Sequence, residues 1–404
     1  MLFRLSWRNI WRNKRRSLIV MTAIAIGITA LVLTDAIYNG LLIEMLDNQI
    51  RSHIAHIEIH SRGFNDNKII ENSMKEYEKI EKVLSINPNV AYISRRVITY
   101  GIISSASNSS GITIVGVDPA REANITKIKA SVIAGHYLDS AKNEIIISKK
   151  LAEKLSVELE DKLVLMASDA DGRVSSDAFR IAGIFETSGA DFDRAYIFIT
   201  LHHAQKMLGL SNVISEIAVI TKNTDQLVQT QSTIVSSIGE SYEVLTYFDL
   251  IPNIIMVVEV GRQAMVIYYL IIGIAILFGI INTMLMSVFE RTRELGILMA
   301  TGMKNVRIFN MIIVEALFLS AIGTVVGIGI GLLIYTPLAS NGINLSAVGE
   351  GLTLFGASPI IHPILTVQGM INAITIIPLI SMIAAIYPAF KATRLEPVRA
   401  IQYI

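Results

Sequence analysis

The sequence predicts an α-helical membrane protein with four transmembrane helices and a large extracytoplasmic α+β domain between the first and second helices. Three observations predict this fold class. Of the 404 residues, 52% are hydrophobic and 17% are charged, and the mean hydropathy of +0.53 is too high for a soluble protein. Four apolar runs are each about 20 residues or longer, which is enough to cross a bilayer. The stretch between the first two runs is more polar and alternates between strand and helix patterns.

The predicted elements form a membrane bundle that is interrupted once by the α+β domain. In order they are an amphipathic helix (1–17), the first span (18–38), a stalk (39–52), the α+β domain (53–248), a second stalk (249–263), the second span (264–288), a short helix (289–305), the third span (306–335), a loop (336–368), the fourth span (369–390) and a tail (391–404). Trp7 and Trp11 lie on one side of the first helix, as is typical at a membrane interface. The first apolar run exceeds a usual signal-peptide core and no small-x-small site follows, so we expect an uncleaved anchor rather than a cleaved signal peptide.

Basic residues gather at one side of this topology. The N-terminal helix has six, and the other clusters are Arg291, Arg293, Lys304 and Arg307 between spans two and three, and Lys391, Arg394 and Arg399 in the tail. The loop 336–368 has none. The positive-inside rule therefore predicts cytoplasmic termini, a cytoplasmic 289–305 stretch and an extracytoplasmic α+β domain.

Within the α+β domain, the patterns near its start recur near its end. The strand IAHIEIHS and the helix SMKEYEKIEKVLSI have counterparts in SEIAVIT, DQLVQTQSTIVSSI and YEVLTYF. We therefore expect one discontinuous domain formed by residues 53–124 and 211–248, with a β-rich insertion over 125–210. In the insertion, KLVLMA and FRIAGIFE are two strands whose connection, SDADGRVSSDA, predicts an exposed hairpin.

Residues 289–305, FERTRELGILMATGMKN, form a charged interruption between two apolar runs, so they must lie at a membrane surface. On a helix, two faces separate: Glu290, Arg293 and Glu294 on one, and Leu295, Leu298 and Met299 on the other. We expect a short helix that lies on the membrane on its apolar face and turns its charged face toward a soluble partner.

The residues present argue against several function classes. A net charge of +1 predicts no nucleic-acid partner, and the absence of cysteine excludes a thiolate metal site. Gly296, Gly302 and Lys304 do not form a P-loop, because the glycine spacing is wrong and no strand leads in, so we expect no ATPase activity in this chain. No HExxH, GxSxG or paired-carboxylate pattern is present, and we predict no catalytic residues.

Three histidines near the start of the α+β domain raise the question of a metal site. His56 and His60 share a strand face with Glu58, and His53 lies just before them. Zinc needs three or four converging ligands, and the sequence shows no further partner. We therefore expect a solvated strand face and no metal.

Two features of the third span predict helix packing. Gly323, Gly327 and Gly331 repeat the GxxxG spacing, which allows close helix approach either within the subunit or across a dimer. Glu315 lies in the same apolar run, as a coupling charge or as a carboxylate paired inside the bundle. On the stalks, an apolar stripe is a candidate lining of a substrate path, with ordinary packing as the alternative: Leu41, Met45, Ile254, Met256 and Val257.

The architecture, the segment ERTRELGILMATGMKN and the tail YPAFKATRLEPVRAI resemble the MacB/FtsX-type ABC transporter permeases. GITIVGVDPA, GHYLDSAKNEIIISKKLAEKLSV and RIAGIFETSG fall in the family's order, and the resemblance within the family is greatest to the permease subunits of lipoprotein-releasing Lol complexes. It implies location in a bacterial inner membrane, porter-like and sabre-like subdomains, and no enzymatic role. Mechanotransmission would couple ATP hydrolysis to lipoprotein release without transport across the bilayer. MacB-like efflux of a peptide, toxin or lipid, and FtsX-like regulation of a periplasmic partner, are the alternatives.

The resemblance also implies partners and a contact surface. The chain would form a homo- or heterodimer with a second permease in the lipid membrane, and separate ABC ATPase subunits would bind ATP and Mg²⁺, so this chain binds no cofactor. The coupling helix would meet the ATPase through Glu290, Arg291, Arg293, Glu294, Gly296, Gly302 and Lys304. Lol permeases that recruit the periplasmic lipoprotein carrier extend the hairpin into a hook. SDADGRVSSDA is short, which favours a subunit that does not recruit the carrier, or another branch of the family.

Overall fold

The computed structural model describes residues 2–12, 14–139, 142–346, 357–358 and 360–396. Arg399 and much of the predicted loop and tail lie outside these described residues. The chain divides into two compact units. One is the helical unit, Met1–Leu42, Val257–Asn344 and Ile360–Ile404, and the other is the α/β unit, Ile43–Met256 with Leu345–Pro359.

Within the described residues, six helices form the predicted spans and the segments directly beside them. They are α1 (Leu2–Arg12), α2 (Lys14–Gln49), α10 (Pro252–Glu290), α11 (Thr292–Ala300), α12 (Asn305–Asn341) and α13 (Val367–Thr393). Among the described residues, α2 with the π-helical turn Ile50–Ile54, α10, α12 and α13 are long and apolar enough to span a membrane, with mean hydropathies of 2.1 to 2.7. The four predicted spans are therefore confirmed. Each of these helices extends beyond the predicted span, because helical hydrogen bonding continues into the predicted stalks and loop.

The core of the helical unit contains large apolar side chains from α1, α2, α10, α12 and α13. Representative members are Ile10, Ile24, Ile276, Leu319 and Ile377. A two-stranded ladder, β11 (Ile343–Asn344) with β12 (Ile360–Ile361), follows α12.

The α/β unit contains ten of the described strands. They are β1 (Ile57–Ser61), β2 (Val90–Ser104), β3 (Ser109–Val117), β4 (Val132–Gly135), β5 (Glu144–Ser148), β6 (Lys162–Ser168), β7 (Val174–Phe185), β8 (Tyr196–Thr200), β9 (Glu216–Thr221) and β10 (Tyr242–Thr246). Its described helices include α3 (Tyr77–Ile86), α4 (Pro119–Glu122), α5 (Lys149–Leu155), α6 (Ala190–Ala195), α7 (Leu201–Met207), α8 (Leu227–Ile238) and α9 (Tyr247–Leu250), with 3-10 turns at Ile70–Asn72 and Thr224–Gln226. The strand order is β10-β1-β9-β2-β3-β8-β5-β7-β4, and β6 pairs with both β2 and β7.

The two ends of the α/β unit pair directly. β1 lies antiparallel between β10 and β9, with Ile59 opposite Val244 and Ile217. One face of these strands packs against α3 and α8 through a cluster that includes Leu84 and Ile234. Segments separated by more than 150 residues thus share one apolar core, which is the strand-helix-strand arrangement that the recurring patterns indicate.

Six strands close into a ring, because β6 returns the path β2-β3-β8-β5-β7 to β2. Alternation along the strands directs apolar side chains inward, among them Ile114, Leu165, Phe179 and Ile181. β6 and β7 form the predicted hairpin, and β7 begins at Val174, so the connection comprises only residues 169–173.

Candidate functional site

A nine-residue helix, α11, joins the second and third spans. α10 continues to Glu290, Arg291 leaves the helical conformation, and α11 begins at Thr292. α11 ends at Ala300, and Gly302 follows with a φ of +93°. Glycine suits this position because the left-handed region disfavours a Cβ atom. The predicted segment 289–305 therefore contains the end of α10, all of α11 and the turn into α12.

The apolar face of α11 is buried between the ends of three spans. Leu295 is 2% exposed and packs in a cluster with Val288 of α10, Ile308 of α12 and Ala389 of α13. Two further predicted apolar positions pack against this cluster, Leu298 and Met299. The prediction that this face lies on the membrane is wrong, because the helix ends cover it more completely than lipid would. Close packing also means that a displacement of α11 moves its neighbours.

Glu315 is 2% exposed and is paired within the chain. Its Oε2 accepts a hydrogen bond from Arg291 Nη1 at 3.1 Å, and its Oε1 lies 3.9 Å from Arg16 Nη2. A carboxylate withdrawn from water is costly unless cations and donors replace the lost hydration. Glu315 is thus a carboxylate paired inside the bundle, and its role as a coupling charge stays a prediction.

The Arg291–Glu315 pair is part of a chain of alternating charges. Arg291 Nε lies 3.4 Å from Glu294 Oε2, which also accepts from Arg12 Nη2 at 2.6 Å. At the other end, Arg16 Nη1 donates to Glu290 Oε2 at 2.9 Å. Burial raises the pKa of Glu294, but Arg12 and Arg291 outweigh this effect and hold the pKa below its usual value.

The charge chain contains six side chains among the described residues, in the order Arg12, Glu294, Arg291, Glu315, Arg16 and Glu290. Its members belong to α1, α11, the α10–α11 junction, α12, α2 and α10. The charge chain has three positive and three negative groups. Their mutual attraction offsets part of the cost of removing these charges from water. It connects α11 by charge to helices that are distant in sequence.

Three exposed cations in this segment or directly after it make no ion pair with the part of the chain that the structure describes: Arg293, Lys304 and Arg307. Exposed apolar residues include Ile297 within the segment and Val306 directly after it. Arg291 and Gly296 are buried, so we exclude them from the predicted contact surface. Of the predicted charged face, Arg293 and Glu290 are exposed and Glu294 is half-buried. Both carboxylates are nevertheless paired within the chain.

A groove of about 660 Å³ lies between the start of α1 and the end of α11. Its lining residues are Phe3, Leu5, Leu298, Thr301, Gly302, Met303 and Arg307. α1 is held in place by Ser6 Oγ, which donates to the Met311 carbonyl at 3.1 Å, and by edge-to-face contacts of Phe3 and Trp7 with Phe318. The groove thus combines apolar walls with one of the three exposed cations, Arg307.

The glycine stripe of α12 packs against α2 of the same chain. A Cβ atom on Gly323 would lie 2.8 Å from Ile24, and one on Gly327 would lie 2.7 Å from the Ala25 carbonyl oxygen. Gly331 faces Val32 less tightly, at 3.5 Å. Thr29 Oγ1 donates to the Gly327 carbonyl at 2.9 Å, a hydrogen bond that needs this close approach. The structure therefore supports packing within the subunit for this stripe.

The predicted substrate-path residues do not share one environment. Met45 is buried, Met256 is 61% exposed, and the remaining three are half-buried: Leu41, Ile254 and Val257. Their role stays a prediction.

Two features of the helical unit were missed by sequence reasoning. One is an apolar cleft of about 360 Å³ between α2 and α10, with Gly27 and Gly279 among its lining residues. The other is Asp35, whose carboxylate accepts hydrogen bonds from Tyr269 and Asn39. Small residues and one acidic residue inside an apolar run are the signals that would have indicated them.

The strand face of Glu58 and His60 is buried, so the predicted solvated face is wrong. His60 is 0% exposed, and its Nε2 lies 3.2 Å from Glu58 Oε2 and 3.3 Å from Glu216 Oε2. Burial lowers the pKa of His60, but hydrogen bonding to Glu216 and Glu58 outweighs it and raises the pKa to about 9. Residues packed over this face exclude water, which the alternation pattern alone did not show. His56 bonds Thr221 and does not join this cluster.

Two family descriptions match the chain in sequence order. The MacB-like periplasmic core domain matches residues 17–236, which is more than half of the chain, and the FtsX-like permease C-terminal region matches residues 265–397. The chain belongs to the MacB/FtsX family of ABC transporter permeases. α11 and four members of the charge chain, Glu290, Arg291, Glu294 and Glu315, lie within the FtsX-like region. The ring and the β1–β9–β10 layer lie largely within the MacB-like region.

Relatives of this MacB/FtsX permease cover two kinds of transporter. This chain is 22% identical to the lipoprotein-releasing system transmembrane protein LolC of Neisseria meningitidis serogroup B, over 97% of this chain and 96% of LolC. It is also 22% identical to the pyoverdine export ATP-binding/permease protein PvdT of Pseudomonas syringae pv. syringae, over 98% of this chain and 58% of PvdT. Among solved structures, the extracellular domain of the transporter YknZ has 18% identity and a TM-score of 0.35, covering 47% of this chain and 99% of that domain.

Proposed function

We propose that this permease transmits ATP-driven movement of a separate ATPase subunit to its α/β unit, and that this work releases lipoproteins from a bacterial inner membrane. The observation that carries the proposal is the α11 segment. It presents unpaired cations and apolar side chains to solvent while its other face is packed into the ends of three spans. A partner bound to the exposed face can therefore displace the spans directly.

We propose that the partner surface is acidic and carries apolar patches, because it has to complement exposed residues of this chain. On this chain the positive charges are Arg293, Lys304 and Arg307, and the apolar side chains are Ile297 and Val306. An ATPase subunit would seat there, holding ATP and Mg²⁺ itself, and a second permease would complete the assembly. Complementary charge of this kind steers association and fixes register.

The proposed orientation places α11 and both termini in the cytoplasm and the α/β unit in the periplasm. It rests on the basic clusters beside the spans. A reporter that is active only in the cytoplasm, fused after Asn341 at the end of α12, is expected to be inactive. An active reporter would place the end of α12 in the cytoplasm and contradict the orientation.

Lipoprotein release is favoured over export by the extent of similarity. LolC matches across nearly the full length of both chains, whereas the match to PvdT covers 58% of that protein. The five connecting residues of the β6–β7 hairpin, 169–173, provide no hook. We propose that a partner permease, rather than this subunit, recruits any periplasmic lipoprotein carrier.

The coupling role is tested by reversing the unpaired cations. We expect Arg293→Glu with Lys304→Glu to lower co-purification of the ATPase subunit and permease-stimulated ATP hydrolysis by about tenfold or more, because both charges face the proposed acidic partner. The matched control, Lys75→Glu with Lys82→Glu, makes the same change of charge on the exposed surface of the α/β unit. Equal co-purification and hydrolysis in the two double variants would reject the contact surface.

The substrate is tested by depleting the protein in its host and fractionating the membranes. Outer-membrane lipoproteins are expected to accumulate in the inner membrane if the permease releases them. Normal lipoprotein sorting with loss of export of a peptide, toxin, lipid or siderophore would favour the export alternative. Normal sorting with a defect in one periplasmic enzyme would favour an FtsX-like regulatory role.

A further inference from the structure

We propose that Glu58, His60 and Glu216 form a binding site for a divalent cation of the zinc class inside the α/β unit. Glu58 and His60 lie two residues apart on β1, so both side chains are on the same face of the strand. Glu216 begins β9 and is the register partner of His60. The fold thus brings Glu216 next to Glu58 and His60, although Glu216 lies 156 positions after His60 in sequence.

The spacing of the three side chains fits a small tetrahedral ion. Their ligand atoms all lie within 4.8 Å of one another, and His60 Nε2 is 3.2 Å and 3.3 Å from the two carboxylate oxygens. Zinc bonds to nitrogen and oxygen are about 2.0–2.2 Å long, which places two tetrahedral ligands about 3.3–3.5 Å apart. The observed separations are therefore close to those of a zinc site.

A hydrogen bond alone satisfies this arrangement poorly. His60 Nε2 carries at most one proton, yet two carboxylate oxygens lie at nearly equal distances from it. Both distances are long for a charge-assisted hydrogen bond, which is typically about 2.7–2.9 Å. A cation between the three groups would contact both carboxylates at once.

The surrounding residues supply support for such ligands. Arg96 Nη1 donates to Glu216 Oε1 at 2.7 Å, which leaves Glu216 Oε2 directed toward His60. Arg96 also binds Glu122 through two donors, at 2.7 Å and 3.2 Å, so Glu122 compensates the arginine charge. The remaining charge of the site is that of Glu58 and Glu216, partly offset by the half-buried Lys68. Oriented carboxylates of this kind are typical outer partners and ligands of metals.

The ligand set favours zinc over the hard cations. One imidazole and two carboxylates suit Zn²⁺, whereas Ca²⁺ takes six to eight oxygens and Mg²⁺ retains several waters. A solvent molecule would complete the coordination. The bound ion would connect β1, which follows the first membrane helix in sequence, to β9 at the other end of the discontinuous domain, and would stabilise that junction.

The test uses the full chain in detergent. The protein is purified through a tag without histidine, because a polyhistidine tag would itself bind Zn²⁺ and add to the seven histidines of the chain. Chelator-treated protein is incubated with Zn²⁺ alone, passed through a desalting column and assayed for metal by mass spectrometry. We expect about one Zn²⁺ per chain that an excess of Mg²⁺ or Ca²⁺ does not displace. Wild-type protein that retains no Zn²⁺ would overturn the proposal.

Variants identify the ligands. His60→Gln and Glu216→Gln are expected to lower Zn²⁺ content by about tenfold or more, whereas His202→Gln, which alters an exposed histidine of the same unit, is expected to retain it. Zn²⁺ retained by His60→Gln at the wild-type level would overturn the assignment. Should these variants not fold, Co²⁺ bound to the wild-type protein decides. Visible absorption bands of tetrahedral Co²⁺ with nitrogen and oxygen ligands support the site, and their absence overturns it.

Discussion

Arg291 Nη1 donates a hydrogen bond to Glu315 Oε2 across 3.1 Å, and this contact joins the α10–α11 junction to the interior of α12. Both side chains are buried. The pair is the central link of the charge chain, with Glu294 and Arg12 on one side and Arg16 on the other. A cation predicted to contact a soluble partner is therefore an internal counterion that fixes the position of α11.

Removal of either member of this pair is expected to destabilise the helical unit. Arg291→Met leaves Glu315 with Arg16 at 3.9 Å as its cation, and an incompletely compensated buried charge costs about 3–5 kcal/mol. The double variant Arg291→Met with Glu315→Leu removes both charges. We expect it to lose less free energy of unfolding than Arg291→Met alone. Unfolding by increasing denaturing detergent measures the free energies. A double variant that is less stable than both single variants would contradict the pairing.

The outer pair of the charge chain is expected to contribute little to stability. The Arg12 and Glu294 side chains are each about half exposed, so solvent screens their attraction. Arg12→Gln is expected to change the free energy of unfolding by about 0–1 kcal/mol. The same detergent titration, repeated at high salt, checks this value. A loss as large as that of Arg291→Met would show that the chain acts as one cooperative unit.

Two glycine-to-alanine substitutions on α12 are expected to change the free energy of unfolding in opposite directions. Gly327→Ala places a Cβ atom 2.7 Å from the Ala25 carbonyl oxygen, so the helices must separate, at a cost of about 1–3 kcal/mol. Gly329→Ala meets no atom within 4 Å and is expected to stabilise α12 by about 0.5–1 kcal/mol. Unfolding of both variants is compared with wild type. Equal effects would show that α2 and α12 are not in close contact.

The stability of the α/β unit is expected to depend on Glu81 at acid pH. Burial raises the pKa of Glu81, but Arg95 and Arg121 outweigh this effect and lower it below 4.5. Because the folded-state pKa is depressed, the stabilisation is fully present above about pH 4.5 and is lost as pH falls through the folded-state pKa.

The measurement compares wild type with Glu81→Gln by hydrogen exchange in α3 and β2. At pH 6 wild type is expected to be more stable by about 1–2 kcal/mol, since Glu81 accepts hydrogen bonds from both arginines. The difference should diminish toward pH 3. A difference that is constant over this range would mean that ionisation of Glu81 is not responsible.

The parts of the fold that the sequence predicted well are those encoded locally. Hydropathy depends on consecutive residues, so the four spans follow directly, and the α11 interruption is visible because charges break an apolar run. The hairpin of β6 and β7 is also local. The observed ends of the spans differ from the predicted ends, because helical hydrogen bonding continues beyond the apolar stretch in helices such as α12.

The parts that sequence could not predict depend on contacts between distant residues. Nothing near Arg291 indicates whether it faces a partner protein or Glu315, 24 positions away. The GxxxG spacing specifies a close approach and does not specify that α2 is the partner. His60 gave no sign of Glu216, because register between β1 and β9 is set only when the domain folds.

The closed ring has a consequence for attempts to isolate the insertion at 125–210. β2 and β3 precede that segment, yet they close the ring between β6 and β8. An excised fragment would therefore present two unpaired strand edges and an open apolar interior, a combination that promotes aggregation. Domain exchange between permeases is expected to yield folded protein when the cut points lie before β2 and after α7, so that the ring is transferred whole.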